Sequence, residues 1–192
     1  MRRFIIFGIV VVILIFGLVA IFSRRGDRPN QEASVKKATA LIDYANSSTV
    51  VRLTQEGYIN ARENHRVVQI TVGQNSRTIE LIEGYQGKVI KSNSYSNDTD
   101  SYRAFLAALH NAGYTNTRVA STRNIEPIGA CALGYRYYYD ILDGANVKQS
   151  LWSTSCGNIR GTFNGKSGGV RTLFQKQIPN YSTFMQGVSF SK

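Results

Sequence analysis

The chain has 192 residues and carries 23 lysines and arginines against 12 aspartates and glutamates, a formal net charge of +11. This length allows one modest domain plus an appendage and excludes a large multidomain protein. Two cysteines and two histidines, which are far apart in the chain, do not make a zinc ligand set, so neither a metal nor another cofactor is expected.

The N-terminus contains an uncharged apolar run at residues 4–22, FIIFGIVVVILIFGLVAIF. As a helix of ~1.5 Å per residue the run would be roughly 28 Å long, close to the ~30 Å hydrocarbon core of a bilayer. A cleaved signal peptide is the alternative, but its apolar core is typically about 7–15 residues long and is followed by small residues. The sequence therefore predicts a short tail at residues 1–3, a retained transmembrane anchor in the lipid bilayer at residues 4–22, and a charged linker at residues 23–33.

The orientation of the anchor follows less directly from the sequence. Two arginines precede the anchor and three follow it within the linker, and basic residues favour the cytoplasmic side. Long domains, however, translocate largely regardless of charge, and a pair of cysteines suits an oxidising compartment. We therefore expect a single-pass protein of a bacterial-type cell membrane, with residues 34–192 forming an extracytoplasmic domain.

The sequence of the first half of this domain predicts one helix followed by an antiparallel sheet. A helix over residues 34–46 places its apolar residues on one face. Four segments of alternating character follow, separated by short turn-prone stretches, and they predict an antiparallel meander with strands at residues 49–59, 66–72, 77–83 and 88–94.

Two further helices complete the predicted α+β fold, an antiparallel sheet packed with two to three helices. One begins at the capping residues 98–100, buries Tyr102, Phe105, Leu106 and Leu109 at helical spacing, and ends at Gly113. A shorter helix covers residues 170–177 and stops before Pro179.

Cys131 and Cys156 flank a predicted hairpin whose strands are residues 135–142 and 147–153. With Asp143-Gly144 as a two-residue loop, facing residue numbers sum to 287, which places the two cysteines opposite each other. This register predicts a disulfide and sets Tyr135 opposite Trp152. The aromatic residues of the hairpin are interpreted either as core packing or as a surface for sugars or peptides.

The stretch GTFNGKSGG, residues 161–169, has the appearance of a phosphate-binding loop. A Walker A loop needs a glycine five residues before Gly165, and that position is Arg160. No acidic residue follows Asp143 to hold Mg²⁺. Nucleotide binding is therefore not expected, and the stretch is interpreted as a turn that leads into the last helix.

Charge is distributed unevenly along the chain, because only basic charged residues follow Asp143. This asymmetry makes five residues candidates for binding a polyanion such as DNA or an anionic glycan: Lys148, Arg160, Lys166, Arg171 and Lys176. A solvated basic surface is the alternative interpretation. No helix-turn-helix or zinc-finger pattern predicts sequence-specific DNA reading.

No catalytic motif of a hydrolase, metalloprotease or reactive cysteine is found, so we do not expect an enzyme. The order of apolar helix, antiparallel sheet and late disulfide is similar to that of type IV pilins, but Met1-Arg2-Arg3-Phe4 lacks the processing glycine of that family. The sequence thus predicts a non-catalytic binding or structural component of the cell envelope, with an envelope protein or anionic polymer as partner. A basic polyanion-binding module is the alternative, and a pilin-like or enzymatic domain is less favoured.

Overall fold

The computed structural model describes residues 40–120 and 127–190. The predicted anchor at residues 4–22, the linker and the first part of the predicted helix 34–46 lie outside the described residues. The remainder of that helix is a short 3₁₀ helix, Leu41–Asn46, rather than an α-helix. Among the described residues, no helix is both long and apolar enough to span a membrane.

Six strands form one antiparallel sheet in the order β4-β3-β2-β1-β5-β6. The strands are β1 (Thr49–Glu56), β2 (Arg66–Val72), β3 (Ser76–Glu83), β4 (Lys88–Ser96), β5 (Arg136–Asp143) and β6 (Asn146–Thr154). The first four strands form the predicted meander, with connections at residues 57–65, 73–75 and 84–87. The chain then returns, and β5 pairs with the free side of β1. The predicted α+β class is confirmed.

The helices cover one side of the sheet, here called the helix face. They are α1 (Thr99–Asn111), α2 (Ser167–Gln175) and the short α3 (Tyr181–Phe184). A separate 3₁₀ turn is formed by Pro127–Gly129. Asp98 caps α1 by accepting the Ser101 backbone N–H at 2.8 Å. The core joins Leu53, Ile70, Ile79 and Tyr139 of the sheet to Tyr102, Phe105, Leu106, Leu109 and Phe174 of the helices. Each such apolar side chain contributes about 1.5–3 kcal/mol on full burial.

The opposite side of the sheet, here called the polar face, is built by the alternate residues of the same strands. Two cross-strand ion pairs join β1 and β5 on this face. Arg52 pairs with Asp140 at 3.0 Å, and Arg136 pairs with Glu56 at 2.8 Å. In each case the partners are also directly opposite in the strand register, which brings their side chains together without a bend in either strand.

The two edges of the sheet differ. Residues 161–163 cover β6: the backbone N–H of Phe163 donates to the Trp152 carbonyl at 2.9 Å, and the N–H of Trp152 donates to Thr162 Oγ1 at 3.1 Å. A Cβ on Gly161 would lie 2.1 Å from the Trp152 carbonyl oxygen, so only glycine fits there. The stretch GTFNGKSGG therefore covers a sheet edge before it enters α2. The β4 edge, by contrast, is exposed along nearly its whole length.

The register of the β5–β6 hairpin differs from the prediction. The loop is Gly144-Ala145, because Asp143 pairs with Asn146, and Gly144 has a φ of +59° at the first loop position. Facing residue numbers therefore sum to 289 rather than 287. A bulge after Ile141 raises the sum by one more, so Trp152 faces Tyr138 on the polar face and not Tyr135.

The disulfide between Cys131 and Cys156 is nevertheless formed, with an S–S distance of 2.01 Å and a Cα–Cα distance of 5.7 Å. The predicted bond is confirmed, but the predicted reason is wrong. Cys131 precedes β5 in a tight turn, with a φ of +53° and its carbonyl accepting the Gly134 N–H at 3.0 Å. This turn folds Cys131 back onto the end of β6. A Cβ on Gly134 would lie 2.5 Å from Cys131 Sγ, so the turn and the bond require a glycine there.

Candidate functional site: a cavity on the polar face

A cavity of about 250 Å³ opens on the polar face where β1, β2 and β5 come together at one end of the sheet. Glu56, Gln69 and Arg136 line it from the strands. Tyr85, in the β3–β4 turn, and Ile128, in the 3₁₀ turn, line it from outside the sheet. The cavity therefore combines side chains of a rigid sheet surface with side chains from the connections.

The ion pair of Arg136 and Glu56 fixes the strand side of the cavity. The Arg136 side chain is only 2% exposed, and its Nε donates to Glu56 Oε2 at 2.8 Å. Its Nη2 also donates to the Gly57 carbonyl at 3.0 Å. A buried guanidinium of this kind needs its charge balanced and its N–H groups bonded, and both conditions are met by protein groups.

Tyr138 supports the same carboxylate. Its hydroxyl donates to Glu56 Oε2 at 3.3 Å. Burial, together with the nearby negative charge of Glu56, raises the pKa of Tyr138 to about 12. The phenol therefore stays protonated at neutral pH and acts as a donor. Since both bonds go to Oε2, Glu56 Oε1 has no hydrogen-bond partner within residues 40–120 and 127–190, and it is an acceptor available to the cavity.

His65 supplies a second acceptor. The side chain is 1% exposed, and Nδ1 lies 2.9 Å from the Tyr58 carbonyl oxygen. Because a carbonyl can only accept, Nδ1 carries the proton, and Nε2 of the neutral ring is an acceptor. In the described part of the chain Nε2 has no protein partner, and His65 lines the cavity.

Tyr85 is exposed, at 52%, but it is firmly held. Its ring stacks on His65 with centroids 4.1 Å apart and an interplanar angle of 14°. Its hydroxyl donates to the Asn60 carbonyl at 2.8 Å and accepts the Asn60 backbone N–H at 3.1 Å. Three contacts thus fix one exposed aromatic ring at the mouth of the cavity.

A larger cavity of about 400 Å³ lies on the other side of the sheet, between β4 and the residues after α3. Its cations are bound by protein groups. Lys91 Nζ donates to the Phe184 carbonyl at 2.7 Å, and Arg66 pairs with Glu83 at 3.3 Å. These contacts join the C-terminal segment to the sheet, and we interpret this cavity as part of the packing there.

The five residues predicted to bind a polyanion lie on three parts of the fold: Lys148 on β6, Arg160 in the loop after β6, and Lys166, Arg171 and Lys176 at the start, middle and end of α2. Steps of five residues turn by about 140° around a helix, so the last three do not share one face. Lys148 pairs with Asp143 at 3.2 Å, and the Arg171 guanidinium lies 4.4 Å from the Tyr137 ring centroid. The three basic residues of α2 therefore do not form a basic surface by themselves. Polyanion binding by the five residues stays a prediction.

The residues of the polar-face cavity were not predicted as a site. They come from four separated segments, and no local spacing connects them. The one signal in the sequence is Arg136, a charged residue within the aromatic run of a predicted strand, because an arginine that is buried there needs an acidic partner. In the described residues, no group of three His, Cys, Asp or Glu side chains could hold a metal ion.

Comparison of the chain with protein-family models, with curated proteins and with solved structures finds no match.

Proposed function

We propose that this protein is a membrane-anchored, non-catalytic binding component of the cell envelope, with its α+β domain outside the membrane and the cavity on the polar face as its binding site. The apolar run at residues 4–22 supports the anchor, and the disulfide suits an oxidising compartment.

The observation that carries the binding role is the fixed, exposed ring of Tyr85. Ordering a side chain on binding costs about 0.5–1.5 kcal/mol, and a ring that is already held avoids that cost. A tyrosine that served only to fill the core would be buried, as Tyr102 and Tyr114 are. The combination of a held aromatic ring with unpaired acceptors at one small cavity is typical of a site that recognises a ligand.

Placement is tested with the substitution Val147→Cys, which adds an exposed thiol to a chain whose own cysteines are bonded. Intact cells that express the full chain are treated with a membrane-impermeant maleimide. We expect labelling of the variant and none of the wild type. Labelling that requires permeabilised cells would contradict the external placement.

Binding is tested by co-sedimentation of the full chain with purified, insoluble cell-wall material. Ile128→Trp enlarges a side chain at the cavity wall and is expected to reduce the sedimented fraction at least tenfold. Val147→Trp is the matched control, because it makes the same kind of change at an exposed position on β6 outside the cavity. Equal sedimentation of the two variants would refute the cavity as the binding site.

A further inference from the structure

We propose that the ligand of the polar-face cavity is a neutral saccharide, held by one sugar ring. This inference rests on the proposed binding function and names the class of ligand that the cavity chemistry selects.

Three side chains that line the cavity present an unpaired acceptor atom. Glu56 Oε1 and His65 Nε2 have no partner in the described part of the chain, and Gln69 uses its amide nitrogen to donate to Thr54 Oγ1 at 3.3 Å, which leaves the amide oxygen free. A ligand that pairs these atoms must therefore bring several donors. A sugar ring carries several hydroxyl donors close together and meets this requirement.

Charge favours a neutral ligand over an anion or a cation. The carboxylate of Glu56 is balanced by Arg136, so the pair has no net charge. The guanidinium is buried and donates to Glu56, Gly57 and Ala130, so it does not offer an exposed fork to a phosphate, sulfate or carboxylate. An anionic group in this cavity would lie beside the Glu56 carboxylate, and the repulsion between the two negative charges opposes its binding.

The shape of the site matches one ring. The cavity volume of about 250 Å³ is just below the roughly 300–1,000 Å³ of pockets that hold drug-sized ligands. Tyr85 and Ile128, both exposed at the mouth, give apolar contact for the C–H surface of a ring while the acceptors bind its hydroxyls.

The test measures binding of N,N′,N″-triacetylchitotriose, a neutral probe, and of a heparin hexasaccharide, an anionic probe, by titration calorimetry. The full chain is held in a detergent without a sugar headgroup, because a glycoside detergent would compete. We expect saturable binding of chitotriose that changes less than twofold between 50 and 500 mM salt, as befits an uncharged contact. Ile128→Trp and Tyr85→Ala should each weaken it at least tenfold. Val147→Trp, outside the cavity, should stay within threefold of the wild type.

Each other outcome overturns a defined part of the argument. Salt-sensitive binding of the heparin fragment that Ile128→Trp abolishes, without chitotriose binding, would refute the neutral saccharide and leave the cavity as a binding site. Sedimentation with wall material that depends on Ile128, again without chitotriose binding, would do the same. If neither wall material nor either probe binds, the proposed function fails together with this inference.

Discussion

Reduction of the disulfide between Cys131 and Cys156 should lower the free energy of unfolding by about 3.5 kcal/mol. The two residues are 25 positions apart, and the chain-entropy relation gives about −11.7 cal/mol/K for a loop of that length, or about 3.5 kcal/mol at 25 °C. For a domain of this size, that change corresponds to a fall in Tm of about 7–14 °C. The bond acts mainly on the unfolded chain, so its loss also frees that chain to expand.

The measurement is equilibrium unfolding of the full chain in guanidinium chloride with and without reductant. Trp152 is the single tryptophan and is 7% exposed on the strand that leads to Cys156, so its fluorescence reports unfolding of this part of the sheet. The m-value should rise on reduction, because the uncrosslinked chain exposes more surface. The double variant Cys131→Ala, Cys156→Ala is the control and should not respond to reductant. A loss below about 1 kcal/mol at an unchanged m-value would refute the view that the bond stabilises by restricting the unfolded chain.

Three further predictions concern the same end of the sheet. Gly134→Ala should destabilise the oxidised protein by about 1–3 kcal/mol through overpacking against the disulfide, whereas Gly157→Ala, with open space at its Cβ, should stay within about 0.5 kcal/mol. Glu56→Gln should lower the free energy of unfolding by about 3 kcal/mol because it leaves the buried Arg136 charge unbalanced. Adding Arg136→Met to this variant should restore most of the lost stability. Chemical denaturation of the wild type, the two single variants and the double variant measures both effects. The free energy of unfolding should fall as the pH rises from 10 toward 12, because the folded-state pKa of Tyr138 is raised to about 12 and the tyrosine of the unfolded chain therefore loses its proton first. The Tm measured across this pH range should decline less steeply in Tyr138→Phe.

Each of these predictions has an outcome that contradicts it. An equal effect of the two glycine substitutions would show that the close contact at Gly134 relaxes without cost. Additive losses in the Arg136 and Glu56 cycle would show that the two charges do not interact. An identical alkaline profile in Tyr138→Phe would assign the pH dependence to other tyrosines.

Local pattern predicted the first four strands well. The β2–β3 and β3–β4 connections are short turns, which set the boundaries of these strands, whereas the first strand ends at Glu56, earlier than the predicted residue 59. The second predicted helix was equally clear, because the cap at Asp98 and the buried Tyr102, Phe105, Leu106 and Leu109 support each other. Such features are encoded within a dozen neighbouring residues, which is why they can be predicted without knowledge of the rest of the chain.

The hairpin shows where local pattern fails. Asp143-Gly144 and Gly144-Ala145 are both acceptable loops, and the choice of the second shifts every facing pair. A bulge at Ile141 then moves Trp152 to the polar face. The disulfide was predicted from a false register and is formed for another reason, the tight turn at Cys131. Turn chemistry alone does not decide between the two loops, because each offers a glycine at a position that favours positive φ.

The cavity on the polar face could not be predicted for a related reason. His65 and Tyr85 lie in separate loops, and their stacking depends on how the β1–β2 and β3–β4 connections meet at one end of the sheet. The sequence could indicate that Arg136 needs an acidic partner, because it lies within a strand of aromatic residues. The identity of that partner could not, because Glu56 becomes its neighbour only through strand pairing.

The unequal sides of the sheet limit how copies of this protein could join by backbone pairing. Residues 161–163 of the same chain occupy the outer side of β6 at Trp152, so a second molecule could not pair along the full length of that strand. On the outer side of β4, Lys88, Lys91 and the bulge in its pairing with β3 oppose pairing with another copy. Within the described residues, each edge of the sheet therefore carries a feature that opposes strand pairing, and a growing fibre of these domains would need a different kind of contact.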